Sequence, residues 1–285
     1  MLPTIELGPI QLSTYWLLYG LAALVALSLM ARRLIRAGLS EHIALQGLVL
    51  VALVALAGSA LFRRLALAAQ TLATTGQLSW SGGSAFLGAL LGASLVTGLY
   101  FPRHGLPLRR ALDLCIVPVP LGQAIGRLGC LAAGCCYGRP TDSWLGVCLP
   151  DSSGVWTARY PTQLIAGAAD LLIFVVLVGY ERHQRARCRD AGTGATVRAP
   201  HLPLEAGMEC GSPGLLFLLY MALYCLKRFS TEFLRDSTLS PLIGELNLVH
   251  IVTALGFVAS LALIIWDKRR TRLRDGRSKP GEHGV

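Results

Sequence analysis

Charge is what this sequence has little of: 15% of its 285 residues are charged, against 53% that are hydrophobic. Soluble domains carry roughly 25% charged residues. The shortage excludes an ordinary water-facing globule and makes lipid the expected solvent. Basic residues are missing from the start of the chain, where Arg32 is the first and Glu6 precedes the first apolar run. A cleavable signal peptide opens with positive charge, so that run is expected to stay as a permanent helix. No internal repeat is visible, which disfavours the duplicated plan of many transporters. The 8 cysteines do not make a small secreted disulfide scaffold.

What is present is a series of long apolar runs. Crossing the hydrocarbon core takes about 20 mostly apolar residues. Segments 14–30, 43–61, 82–101, 111–133, 163–180, 214–234 and 248–266 satisfy this. The expected fold is an all-α integral membrane protein of about seven transmembrane helices. The net charge of +10 does not form the single basic patch a nucleic acid would need. It sits in clusters that follow alternate apolar runs: Arg32, Arg33 and Arg36; Arg103, Arg109 and Arg110; Arg182 to Arg198; and Lys268 to Lys279. The positive-inside rule makes that side cytoplasmic, with Arg63 and Arg64 as a local exception. The N-terminus is then periplasmic and the C-terminus cytoplasmic. Residues 1–266 read as one polytopic domain with a cytoplasmic linker at about 189–212, and 267–285 as a basic cytoplasmic tail. The basic clusters suit anionic headgroups.

Several polar residues stand where lipid does not tolerate them. In the fourth segment, Pro118 and Pro120 break the helix and Gly122, Gly126 and Gly129 allow close backbone approach. Broken backbone at membrane depth survives where it is buried in protein or lines a wet cavity. Arg127 lies in this region, and a central arginine costs on the order of 3 kcal/mol. It either snorkels to the headgroups or binds an anion. Arg228, Glu232 and Arg235 are spaced i, i+4, i+7 and would share a helical face, with Phe229, Phe233 and Leu234 keeping part of that helix in lipid. Arginine forks match phosphate oxygens two at a time; the bland alternative is a solvated helix end. Arg139 and Arg159 add positive charge in the outer loop between the fourth and fifth segments. These arginines together suit an anionic phospholipid headgroup. Trp16 reads as an interfacial belt residue, while Tyr15 and Tyr19, one turn apart, are candidates to face the cavity. Cys130, Cys135 and Cys136 admit a disulfide, a buried structural role or a metal site. Metal ranks lowest because the regular C-x₂-C spacing of zinc sites is missing.

These residues resemble a family, the prolipoprotein diacylglyceryl transferases of bacterial inner membranes. Gly126-Arg127-Leu128-Gly129 is similar to its glycine-arginine signature. Arg159-Tyr160-Pro161-Thr162-Gln163-Leu164 is similar to its Arg-His-Pro-Ser-Gln-Leu stretch, and Arg228…Glu232-Phe233-Leu234-Arg235 to its late arginine helix. Tyr15 and Gly82-Gly83 also match. The departures are Cys130 and Cys135 where the family has Asn and Glu, Leu87 where it has His, and Ser59 where it has Arg. The chain looks like a divergent branch marked by Gly134-Cys135-Cys136-Tyr137-Gly138.

The resemblance implies a multi-pass, monomeric inner-membrane enzyme without cofactor. It would move a diacylglyceryl group from phosphatidylglycerol to the lipobox cysteine of a prolipoprotein signal peptide, with glycerol phosphate leaving. Arg127, Arg228 and Arg235, oriented by Glu232, would stabilise the phosphate. Tyr15, Tyr19, Gly126, Gly129, Arg139, Arg159 and Gln163 would bind substrate. The thiolate is the nucleophile; His250 is a candidate base, against the commoner packing role of a lone helical histidine. Two rivals stand beside this reading: a paralogue that binds anionic lipid with another acceptor or none, and a membrane thiol–disulfide protein using Cys130, Cys135 and Cys136.

Overall fold

The computed structural model describes residues 4–7, 10–72, 84–150, 154–190, 212–236, 246 and 248–277. Gly82, Gly83 and most of the expected linker lie outside them, as does the side chain of Leu87. Among the described residues the protein is all-α apart from two short hairpins. Strands β1 (Thr4–Leu7) and β2 (Ile10–Ser13) pair antiparallel and lead into α1 (Thr14–Arg36). Then follow α2 (Glu41–Leu72), α3 (Ser84–Arg103), α4 (Leu108–Ile116) and α5 (Val119–Ala132). Strands β3 (Val147–Pro150) and β4 (Trp156–Arg159) form the second hairpin, before α6 (Thr162–Asp190), α7 (Leu215–Glu232) and α8 (Leu248–Arg277).

Among the described residues, five helical stretches are long and apolar enough to cross a membrane: Thr14–Arg36, Glu41–Leu61, Leu108–Ala132, Thr162–Arg187 and Val249–Arg270. The other two expected spans are also helices. However, α7 has 18 residues that include Lys227, Arg228 and Glu232, and α3 has described side chains only from Gly88 onward. The fourth span divides where expected. Proline has no N–H to donate and fixes its φ, so Pro118 ends the first piece and Pro120 falls in the opening turn of the second. Helix α8 continues to Arg277, so the part of the basic tail next to the last span is helical. There Asp267 pairs with Arg109 at 2.9 Å.

Two buried clusters hold the helices together. One gathers Leu34, Leu48, Phe101, Leu106 and Leu114 from α1 to α4 and their connections; the other gathers Ile116, Val117, Ile173, Leu177 and Tyr220 from α4, α6 and α7. Leu24, Leu53, Leu56, Leu172 and Leu255 point away from the protein, each at least 58% exposed, which is the face a lipid-embedded bundle presents. Lipid gives apolar faces no reason to associate, so close backbone packing takes over. Gly58 and Gly92 do this between α2 and α3. A Cβ on either would lie 2.5 Å from a carbonyl oxygen of the other helix, Gly88 O or Val54 O.

Candidate functional site

The start of α1, the end of α5, the start of α6 and the end of α7 come together at one end of the bundle. The Tyr15 and Tyr19 rings lie 4.4 Å apart and cover the glycine face of α5. A Cβ on Gly129 would meet the Tyr19 ring at 3.2 Å and Leu18 Cβ at 3.3 Å, and one on Gly126 the Tyr19 ring at 3.6 Å. The glycines therefore let α1 lie on α5, and the Tyr19 hydroxyl reaches Cys130 Sγ at 3.3 Å. One residue round the helix, the Arg127 stem rests on α6, where a Cβ on Gly167 would be 3.3 Å away. Its guanidinium is in electrostatic range of Cys130, Asp170, Cys136 and Tyr19.

The thiols converge because of how α5 stops. Gly134 has φ 67°, the left-handed conformation that glycine adopts at little cost. Its N–H donates to Leu131 O at 3.2 Å, and the Cys135 N–H donates to Cys130 O at 3.0 Å. These two bonds make a Schellman cap, which folds Cys135 back over Cys130. Cys136 follows, also left-handed at φ 62°, a conformation that costs a non-glycine residue roughly 1 kcal/mol. Helix α6 holds it there: Thr162 Oγ1 donates to Cys136 O at 2.6 Å and Gln163 Nε2 to Cys135 O at 2.9 Å. The three Sγ atoms all lie within 4.8 Å of one another, and all three residues are free thiols. Arg235 Nη2 donates to Cys136 Sγ at 3.4 Å. Hydrogen bonding from Cys130 and Cys135, reinforced by Arg235 and Arg127, holds the Cys136 thiol far below its usual range. Hydrogen bonding with Cys130 and Cys136 pushes the Cys135 thiol up.

Beyond the cap, residues 138–140 run as an extended strip between two partners. On one edge Gly138 N–H donates to Tyr160 O at 3.0 Å, and Tyr160 N–H to Arg139 O at 3.2 Å; on the other, Arg139 N–H donates to Leu234 O at 3.0 Å. Bridges join Gly138 to Arg235 and Pro140 to Arg159. A Cβ on Gly138 would stand 2.5 Å from Tyr160 O and 2.6 Å from Leu234 O, so only glycine fits. This pairing also takes Arg235 off the helical face expected for it. Helix α7 ends at Glu232, and Arg235 is placed by the strip instead. Arg139 is exposed, with its guanidinium on Phe233 O. Arg159 is buried, pairs with Asp236 at 3.1 Å and lies over the Tyr137 ring. Both fasten the loop to the segment that follows α7.

On α7 itself, Arg228 pairs with Glu232 at 2.8 Å and lies in electrostatic range of Arg235 and Arg127. Phe229 and Phe233 pack on buried His250 of α8, with ring centroids 5.3 and 4.3 Å away. The aromatic face of α7 thus meets α8, where the sequence pattern put lipid, and His250 also lies in electrostatic range of Glu232 and Arg228. One buried ion pair escaped the sequence reading: Lys227, 7% exposed, pairs with Asp170, 0% exposed. Its signal was available, because Asp170 is the one acid within the apolar run 163–180, and such a residue seeks a partner.

Residues 3–197 match the model of a family described as prolipoprotein diacylglyceryl transferase. The chain is 29% identical over 199 residues to the phosphatidylglycerol–prolipoprotein diacylglyceryl transferase of Symbiobacterium thermophilum, an alignment covering 67% of this chain and 63% of the relative. It is 29% identical over 197 residues to that of Geobacter sulfurreducens, covering 67% and 64%. It is 34% identical over 117 residues to that of Acidiphilium cryptum, covering 40% and 42%. The chain thus spans less than two thirds of the length of these relatives. Arg228, Glu232 and Arg235 lie past the family match, so their place in the site rests on geometry.

Proposed function

We propose that this chain, which belongs to the prolipoprotein diacylglyceryl transferase family, transfers a diacylglyceryl group from phosphatidylglycerol to the lipobox cysteine of a prolipoprotein. The observation that carries the reading is the grouping of Arg127 and Arg235, both within electrostatic range of Arg228 and of Cys136, at the end of helices that suit a membrane. Among the described residues, neither Arg127 nor Arg235 has a carboxylate within ion-pair distance. Apart from the Arg235 donor on Cys136 Sγ, their donors are left for an anion, and a phosphodiester at the membrane surface fits them. When the diacylglyceryl carbon is attacked, charge builds on the departing glycerol phosphate, and fixed guanidiniums stabilise that charge most where water is scarce. Glu232 orients Arg228. Buried Gln163 spends its amide N–H on Cys135 O and keeps an oxygen without a partner among the described residues. That oxygen suits a headgroup hydroxyl. Tyr15 and Tyr19 wall the site toward α1.

On this reading the protein is a multi-pass, monomeric protein of the bacterial inner membrane, crossing it seven times with its N-terminus and this site on the periplasmic side. The Gly-Cys-Cys-Tyr-Gly run then marks a divergent branch of the family. The test is purified protein in nanodiscs containing phosphatidylglycerol, given a lipobox peptide and followed by mass spectrometry. Addition of a diacylglyceryl mass to the peptide thiol is expected, and its loss in Arg127→Ala. An unmodified peptide from folded protein would sink the proposal.

A further inference from the structure

The transfer needs an acceptor thiolate, and the arginines that hold the phosphate do not take a proton. The three cysteines supply a different answer. Their sulfurs lie within 4.8 Å of one another. A tetrahedral zinc ion bonded to thiolates at about 2.3 Å holds its sulfurs about 3.8 Å apart, a small contraction from this arrangement. A disulfide would need two of them at about 2.05 Å. The backbone is fixed on both sides, by the Schellman cap at Cys135 and by Thr162 and Gln163 on the two cysteine carbonyls. Outer donors are in place as well, since Tyr19 reaches Cys130 Sγ and Arg235 reaches Cys136 Sγ. Such partners orient ligands and tune their basicity. Three thiolates around a divalent ion leave one net negative charge, which the nearby Arg127 and Arg235 offset.

Among the described residues no fourth Cys, His, Asp or Glu joins the group. Structural zinc sites close with four protein ligands, whereas catalytic ones keep three and leave a position open. We propose that Cys130, Cys135 and Cys136 bind a zinc ion whose open fourth position takes the acceptor's thiol. The identity of that acceptor rests on the transferase reading above. A thiol that coordinates zinc loses its proton, here to solvent. The zinc-bound sulfur attacks the terminal glyceryl carbon, forming a carbon–sulfur bond. The carbon–oxygen bond to phosphate breaks, and its electron pair leaves with glycerol phosphate, which the arginines hold. The thioether product is a weak ligand and departs.

The test uses the full chain in nanodiscs, loaded with zinc and desalted. About one zinc per chain is expected by mass spectrometry of the metal, falling toward zero in Cys135→Ser and Cys136→Ser. In the wild-type protein, zinc should shield Cys130, Cys135 and Cys136 from maleimide while exposed Cys148 reacts with or without metal. Cobalt in place of zinc should show sulfur-to-cobalt absorption that shifts on adding a lipobox peptide but not its serine analogue. Free labelling of all three thiols under zinc, or a disulfide forming among them with no metal bound, overturns the proposal. Transfer that survives complete metal removal overturns it too and leaves the transferase reading intact. Stoichiometric zinc that binds the peptide thiol, without transfer from phosphatidylglycerol, upholds the metal site and refutes the transferase.

Discussion

At the end of the bundle where α1 and α6 finish, Arg33 sends two donors to the two carboxylate oxygens of Glu181, each at 2.9 Å, and a third to Leu114 O. Arg109 meets Asp267 there, and Asp113 accepts from the Gly214 and Phe217 N–H groups that open α7. At the opposite end Arg235 donates to a thiol, and Arg127 lies in electrostatic range of Cys130, Asp170 and Cys136 with no carboxylate in an ion pair among the described residues. The same residue type thus does two jobs. Where its donors are used up by acids it joins helices, and where they are left over it makes, on the proposed reading, a place for an anion.

The contrast can be attacked directly. The largest effect is expected between the two ends, at the buried Lys227–Asp170 pair. Lys227→Ala strands a carboxylate and should cost about 3–5 kcal/mol, seen as a lower unfolding midpoint in detergent. Lys227→Met combined with Asp170→Leu should restore most of it. Next, Arg235→Ala should slow transfer to the lipobox peptide by roughly 10²–10³-fold with little change in midpoint. Arg33→Ala should do the reverse, costing about 1.5–3 kcal/mol of stability while transfer per folded molecule holds. If Arg33→Ala slows transfer as much as Arg235→Ala, the division between the ends is wrong. The smallest effect is at the cap. Gly134→Ala should cost about 1 kcal/mol and speed maleimide labelling of Cys135.

The helices were legible because apolar length and proline act locally. The run 111–133 divides at Pro118 since that residue fixes its own backbone. Arg127 was legible as a misfit in lipid, and the structure sets it beside Arg228. What escaped depends on partners far along the chain. Arg235 looked helical by spacing, yet its backbone pairs with Gly138, 97 positions earlier. The four-residue strands β3 and β4 carry too few residues to show an alternating pattern. The cysteines were legible as a group, but the metal reading ranked lowest because a C-x₂-C rule tests spacing along the chain. The relevant signal was Gly134, which marks a left-handed turn that brings residues five apart together.

Gly138 has carbonyl oxygens pressed against it from both sides. In a library randomising that codon, selection for folded protein should return glycine almost alone, while neighbouring exposed Pro140 accepts variety. Drift is closed at this one point, because no compensating change in a side chain can move two main chains apart.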